Sequence, residues 1–434
     1  MKKIKVGLMG LGTVGGGVWD VLRMNRDEII RNCGYEIKIE KILVKEGFKP
    51  KVSGVSKDKL THNFDDIVEN DEIEIVIELI GGIEPAREYI LRAIKAGKHV
   101  VTANKALLAQ HGVELSKAAY EAGVRLSYEA SVAGGVPIIN PLKESLGANK
   151  IKKIMGILNG TTNYILTKMT NENVDFHTVL KEAQDMGYAE ADPTADVEGF
   201  DAAHKLTILS TLAFGTPVKF KDVHREGITK INPLDIEYAR ELGYVIKLLG
   251  IAKEIDGELE LRVHPTFIPK NHPLAAVNDS FNAVFVKGNA VGDLMFYGRG
   301  AGDLPTASAV ISDVMDIIKK RSLKPNLKNG FSYEPTKKAK PMGEIVNEYY
   351  IRFMVKDIPG VLGKIATLFG EYNVSLSSVI QKGRSERGVP LVFITHEARE
   401  SDIQKALQEV NSIDEVIEIG NIIRVENGQE RGEQ

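Results

Sequence analysis

The feature that most restricts the fold of this chain is a strand–helix alternation that opens on a glycine turn. Residues 4–24, IKVGLMGLGTVGGGVWDVLRM, read as a strand, a turn and a helix. Gly10, Gly12 and Gly15 stand in the spacing G-x-G-x-x-G, with Leu11, Thr13 and Val14 between them. In that pattern the first glycine permits the tight turn, and the second lets the backbone approach a pyrophosphate. The third lets helix and strand pack closely, and the helix N-terminus offers N–H groups to phosphates. The spacing alone is weak evidence, since a glycine turn can serve no ligand. The strand before it and the helix after it supply the context that the pattern needs.

The alternation continues. EIKIEKILV (36–44) and EIEIVIELIGG (72–82) read as strands, and EPAREYILRAIKAGK (84–98) as an amphipathic helix. HVVTANK (99–105) is a short strand ending in a turn, GVELSKAAYEAG (112–123) a helix and VRLSYEA (124–130) a strand. This order predicts an α/β domain, a Rossmann doubly wound parallel sheet, with its ligand at the C-terminal strand ends. Gly81 and the Ala103–Lys105 turn fall at such ends. The second strand usually ends in an acidic residue when the ribose 2′-hydroxyl is free. Here Lys45 and then Glu46 follow it. A lysine suits a 2′-phosphate, which favours NADP over NAD, with NAD also open. The bland alternative is a solvated loop lysine.

Length, charge and cysteine content set the class. At 434 residues the chain has room for two or three domains. A net charge of −3 implies no general attraction to nucleic acid or to an acidic membrane. The one cysteine, Cys33, rules out a disulfide framework within the chain and fits a reducing compartment. The N-terminal lysines and apolar run resemble a signal peptide, but glycines break the run and no small-residue cleavage site follows. No apolar stretch is long enough to span a bilayer. A cytoplasmic protein is expected.

The middle of the chain carries polar residues in unusual settings. In GFDAAHKLTILS (199–210), Asp201 and Lys205 are four apart and share one helix face, ahead of an apolar run. An exposed ion pair is the commoner use of that spacing. Glu190, Asp192, Asp196, Glu198 and Asp201 lie within MGYAEADPTADVEGFD (186–201). Three readings stay open for them: a solvated loop, a metal site, or a pocket for a cationic group such as a substrate ammonium. The spacing of a calcium loop with its central glycine is absent. Lys105 is either a helix-start surface lysine or a neighbour of the nicotinamide. In YEASVAGGVPIINPL (128–142), Glu129 with nearby backbone carbonyls could hold a hard cation; a loop with a buried glutamate is the simpler reading. A second glycine loop, YGRGAGDLPTASAVISD (297–313), allows backbone to approach a ligand and leads into a helix that can return to the first domain.

A basic, Pro/Gly-rich stretch over 321–347 reads as a linker. A separate module follows at 348–426. Its strands and helices alternate as β-α-β-β-α-β, a ferredoxin-like order.

These segments resemble homoserine dehydrogenase, in its form without a fused kinase and with a C-terminal ACT domain. The resemblance runs from GLMGLGTVGGG through TANKALLA, EASVAGGVPII, GILNGTTNYIL, AQDMGYAEADPTADVEGFDAAHKL and GRGAGDLPTASAVISD to DIPGVLGKIA. It implies a Rossmann domain over 1–135 regained by a helix at 304–320, an α+β catalytic and dimerisation domain over 136–303, and an ACT domain. It implies reversible NAD(P)-dependent conversion of L-homoserine to L-aspartate 4-semialdehyde, in threonine, methionine and isoleucine biosynthesis. Lys205 would carry the proton, which a lysine can do if burial lowers its pKa toward neutrality. Lys105 would hold the substrate oxygen beside the nicotinamide. Glu190 and Asp201 would bind substrate, Glu190 through the ammonium. Gly187 and Gly302 would approach the cofactor. Glu129, Val132, Gly134 and Val136 would hold a monovalent cation, sodium. Asp357, Gly360, Val361 and Leu362 would form an effector loop for a small amino acid, threonine. A homodimer or homotetramer is implied.

Two rivals have discriminating signs. An acylating semialdehyde dehydrogenase needs a cysteine nucleophile, and Cys33 lies before the second strand, away from the expected cleft. A non-catalytic sensor of nucleotide and amino acid would have lost Lys105 or Lys205, and both are present.

Overall fold

A computed structural model of the protein describes residues 2–323, 337–382 and 388–427. The central part of the expected linker, 324–336, lies outside the described residues. The chain divides into two compact units, one of Met1–Ile154, Ala203–Val223 and Phe281–Lys337, the other of Met155–Ala202, His224–Ser280 and Lys338–Gln434.

The first unit begins with β1 (Lys3–Met9), α1 (Thr13–Met24), α2 (Arg26–Cys33), β2 (Glu36–Leu43), β3 (Leu60–Thr61), α3 (Asp65–Val68) and β4 (Ile73–Glu78). It continues through α4 (Ala86–Lys95), β5 (His99–Thr102), α5 (Lys105–Glu121) and β6 (Leu126–Ser127). The six strands form one parallel sheet in the order β3-β2-β1-β4-β5-β6. Such a sheet needs cover on both faces, so its inner strands are apolar on both sides. One face is buried under α1 and α2 through Val18, Val21 and Ile29. The other is buried under α3, α4 and α5 through Ile67, Ile90, Ile94, Leu107 and Leu115.

Beyond the sheet the chain runs through β7 (Ile151–Ile157), α6 (Gly160–Glu172), α7 (Phe176–Asp185), α8 (Thr194–Val197) and α9 (Phe200–Phe214). Then come β8 (His224–Arg225), α10 (Pro233–Glu241), β9 (Tyr244–Ile255), β10 (Glu258–Pro269), β11 (Phe281–Gly288), β12 (Gly292–Arg299) and α11 (Asp303–Lys320). Within the first unit, β11 and β12 form an antiparallel hairpin. The same unit holds α11, whose Ala307, Val310, Val314 and Ile317 join the core beneath α1. Gly17 makes this approach feasible, because a Cβ there would sit 2.5 Å from the Asp303 carbonyl oxygen.

In the second unit, β9 and β10 pair antiparallel along their whole length across an Asp256-Gly257 turn. Both turn residues have left-handed backbone (φ 53 and 82°), as a type I′ hairpin turn requires. The C-terminal module follows as β13 (Val346–Val355), α12 (Val361–Glu371), β14 (Leu376–Gln381), β15 (Val389–Thr395), β16 (Ala398–Arg399), α13 (Glu400–Val410) and β17 (Val416–Val425). Its sheet runs β17-β13-β15-β14, and α12 and α13 cover one face through Ile365, Phe369, Ile403 and Leu407.

The C-terminal module has its own core and is also joined to the rest of the second unit. β17 pairs in parallel with β10, placing Thr266 opposite Arg424 and Phe267 opposite Val425. Buried charges lie both within the tail and across its junction with β10 and α10. Arg424 donates to both oxygens of Glu400 at 2.8 and 2.7 Å, and the Tyr349 hydroxyl donates to Glu400 at 2.9 Å. Arg262, fully buried, donates to Glu260 at 2.6 Å and to Asn347 at 3.0 Å, and also pairs with Glu426. Arg352 and Tyr350 both donate to Asp235 at the start of α10, at 2.7 and 3.0 Å. Charges of this kind read as solvated in a sequence. Here they are tolerated because each finds a counter-charge and hydrogen bonds at once.

Candidate active site

The glycine turn sits where β1 ends. Gly10 has φ 94° and donates its N–H to the Leu43 carbonyl. A Cβ on Gly15 would lie 2.2 Å from the Gly10 carbonyl oxygen, so only glycine lets α1 start this close to β1. Leu11 is buried, while Gly12 and Thr13 are exposed, and a Cβ on Gly12 would meet nothing. The start of α1 thus presents open backbone to a phosphate. Lys45 is exposed just past β2.

The adjoining strand ends are tied together by a residue that the sequence reading did not single out. Glu78, the last residue of β4, is 0% exposed and sits opposite Thr102 of β5. Its Oε1 accepts from the N–H groups of Ile80 (2.8 Å) and Gly81 (3.2 Å), and its Oε2 accepts from the Thr102 hydroxyl at 2.6 Å. Burial pushes the carboxyl above its ordinary value, while the Thr102 hydroxyl and those two amides pull the other way. Asn104 closes the arrangement. Its side chain donates to the Gly82 carbonyl at 2.6 Å and caps α5 by accepting from the Leu107 N–H. Lys105, half-buried, is the first residue of that helix, and Ala103 lies two residues before it.

On α9, Asp201 (5% exposed) and Lys205 (8%) are one turn apart and both buried, which rules out an exposed surface pair. Asn159, at the N-cap of α6, donates to Asp201 at 2.9 Å and to Asp196 at 2.7 Å. The five-carboxylate run therefore splits. Glu190 and Asp192 are exposed, Asp196 and Asp201 share one amide, and Glu198 accepts from the Thr229 hydroxyl at 3.1 Å. No group of three or more His, Cys, Asp or Glu side chains that could hold a metal ion occurs among the described residues. Gly187 ends α7 with φ 76° and Gly302 caps α11 with φ 120°.

Glu129 is buried, and its two carboxylate oxygens accept from the N–H groups of Ile138, Ile139 and Asn140 at 2.6, 2.8 and 2.7 Å. Its own N–H donates to Asp313 at 2.8 Å. Val132 and Val136 are buried, and Ala133 and Gly134 form a left-handed pair (φ 54 and 53°). A Cβ on Gly134 would strike the Gly300 carbonyl oxygen at 2.4 Å. In the C-terminal module, Asp357 and Gly360 are exposed, Gly360 has φ 94° at the N-cap of α12, and Val361 and Leu362 open that helix.

A parallel sheet with a glycine turn at its first strand end is the frame of the dinucleotide-binding proteins, and buried lysine and carboxylate side chains in the same chain suit an enzyme of that class. Comparison with known proteins narrows the class. Residues 10–129 match the family model of the homoserine dehydrogenase NAD-binding domain, residues 137–315 that of homoserine dehydrogenase, and residues 349–415 that of the ACT domain. A homoserine dehydrogenase of Synechocystis is 47% identical, over 97% of this chain and 99% of the relative. The crystal structure of a homoserine dehydrogenase from Thiobacillus denitrificans superposes with a TM-score of 0.90 at 44% identity, covering 98% of this chain and 99% of that one. A hyperthermophilic archaeal homoserine dehydrogenase solved with NADPH has a TM-score of 0.63 at 27% identity, over 75% of this chain and 99% of that one. The chain belongs to the homoserine dehydrogenase family: an NAD(P)-dependent oxidoreductase that acts on a CH–OH group and carries a C-terminal ACT domain.

Proposed function

We propose that Lys205 moves the proton in the interconversion of L-homoserine and L-aspartate 4-semialdehyde, with Asp201 beside it binding substrate. The observation that carries this is the burial of both residues one turn apart on α9, with Asn159 fixing the Asp201 carboxylate. The nicotinamide, when bound, supplies a hydride acceptor in oxidation and a donor in reduction. Lys205 then takes the hydroxyl proton from homoserine at Nζ, and returns it to the carbonyl oxygen in the reverse direction. Lys105 holds that oxygen, and Glu190 meets the substrate ammonium. Gly10, Gly12 and Gly15 admit the pyrophosphate, and Gly81, Ala103, Gly187 and Gly302 line the cofactor's path. Residues 1–135 with helix 304–320 act as the cofactor domain and 136–303 as the catalytic and dimerisation domain. The enzyme serves threonine, methionine and isoleucine synthesis in the cytoplasm, as a homodimer or homotetramer. The primary test is the absorbance rise of nicotinamide reduction when L-homoserine and NADP meet the purified protein. Silence with both NADP and NAD in a folded protein would overturn the reading.

Lys45 favours NADP through its charge. Lys45→Ala is expected to raise the KM for NADP by about tenfold, the size of one charge-assisted contact, with NAD little changed. An equal effect on both cofactors, or none, removes Lys45 from the role.

The cation site, read for sodium, fits backbone carbonyl donors. The Glu129 carboxylate is engaged by three amides, and Val132, Gly134 and Val136 have no side-chain oxygen. The exposed turn from Asp357 to Gly360 suits a small amino-acid effector, threonine, held by the amides that open α12. Exchanging sodium for choline should lower the unfolding midpoint, and adding L-threonine should lower the initial rate. A protein indifferent to an exchange loses the matching assignment.

A further inference from the structure

We propose that Glu78 is a positioning residue for the nicotinamide end of the site, because its one carboxylate fixes both strand-end loops that carry Gly81, Ala103 and Lys105. The inference rests on the reading that Lys105 and Ala103 lie beside the nicotinamide. An unpaired carboxylate at 0% exposure would be strongly unfavourable, so its retention at the end of an apolar strand calls for a compensating set of donors. That set is complete and directional. Oε1 takes the Ile80 and Gly81 amides, and Oε2 takes the Thr102 hydroxyl proton. With its proton committed, Thr102 Oγ1 accepts the Asn104 N–H at 3.0 Å. The Asn104 side chain then returns to the Gly82 carbonyl at 2.6 Å. The circuit runs from β4 to its own loop, across to the start of α5, and back through β5. Lys105 follows Asn104 directly, and its N–H donates to the Ala103 carbonyl at 3.0 Å. Backbone on both sides of the circuit is thereby held in one arrangement, with Gly81 at φ 71° and Gly82 at φ 75°.

The polarity of the circuit demands a carboxylate. A glutamine could still accept the two amides through its oxygen. Its Nε2 would then donate to Thr102 Oγ1, which already accepts from Asn104, and the hydroxyl proton would lose its acceptor. Glu78→Gln should therefore loosen the turn ahead of Lys105 without emptying the position. Thr102→Val cuts the same link from the other strand.

The test measures the dissociation constant of NADPH by its fluorescence, the kcat for L-homoserine and the unfolding midpoint. Both Glu78→Gln and Thr102→Val are expected to weaken NADPH binding several-fold and to lower kcat by up to about 10²-fold, as small misplacements of a reacting group do. Thr102→Ser should restore most of what Thr102→Val loses, and the Glu78→Gln/Thr102→Val double variant should fall short of the product of the singles. If Glu78→Gln does not fold, the two Thr102 variants carry the test. The proposal is overturned if dissociation constant and kcat stay within twofold of the parent while only the unfolding midpoint drops. Lys105→Ala, run alongside, separates the two failures. If it leaves kcat and both KM values intact, the reading of the nicotinamide end is wrong; if it is impaired while Glu78→Gln is not, only the circuit's role is lost.

Discussion

Lys205→Ala should lower kcat for L-homoserine oxidation by about 10²- to 10⁴-fold, the range supplied by one positioned acid–base group. The check is the initial rate of nicotinamide absorbance change at saturating homoserine and NADP. Lys205→Met should fall as far, because it keeps most of the stem and removes the ammonium. Lys205→Arg should not recover the rate, since a guanidinium holds its proton at neutral pH. These comparisons separate packing from chemistry at a side chain that is 8% exposed. A Met variant with a tenth or more of the parent rate would mean that the proton travels by another group.

Arg424→Ala should destabilise the second unit by about 3–5 kcal/mol, because it strands the Glu400 carboxylate without its counter-charge. Hydrogen exchange over β13, α13 and β17 reads this loss directly. Tryptophan fluorescence would miss it, since the one tryptophan, Trp19, lies on α1 in the first unit. The same charges set an acid limit. Burial pushes the Glu400 carboxyl up, but the Arg424 hydrogen bonds and charge outweigh it and hold it below its ordinary value. Burial also acts on Glu226, where the His224 hydrogen bond and the Arg424 charge prevail and bring it down to about 2. A carboxyl with a depressed folded value adds stability above the ordinary glutamate range and loses it as the pH falls through the folded value. Protection in these strands should therefore fall as pH drops from about 4 toward about 2. Arg424→Ala should flatten that dependence. Unchanged protection at neutral pH would show that the Arg424 ion pairs do not hold these strands.

Much of the first unit was legible because period-2 and period-3.6 apolar patterns alternate cleanly there, and they give the spacing of Gly10, Gly12 and Gly15 the strand and helix that it needs. Glu78 was not legible for a simple reason. In EIEIVIE, Glu72, Glu74 and Glu78 share one parity, yet Glu72 and Glu74 are exposed and only Glu78 is buried. What distinguishes it is its partner Thr102, which a single sequence does not connect to it. The acidic run was hard to read for a related reason: Asn159, which sorts Asp196 and Asp201 from Glu190 and Asp192, lies some forty residues upstream. The tail's attachment was hidden because Glu260, Arg262 and His264 on β10 have the spacing of a solvated strand face, whereas all three are buried.

For protein engineering, that attachment means that the C-terminal ACT segment is not a cassette. The pairing of Thr266 and Phe267 with β17 makes it part of the wall of the second unit. A chain cut before β13 would leave the Thr266–Phe267 end of β10 as an open edge able to recruit a strand from another molecule. It would also expose a guanidinium, that of Arg262, whose partners Asn347 and Glu426 had left with the tail. Swapping in a foreign domain would require the end of its last strand to bring an equivalent carboxylate to that position.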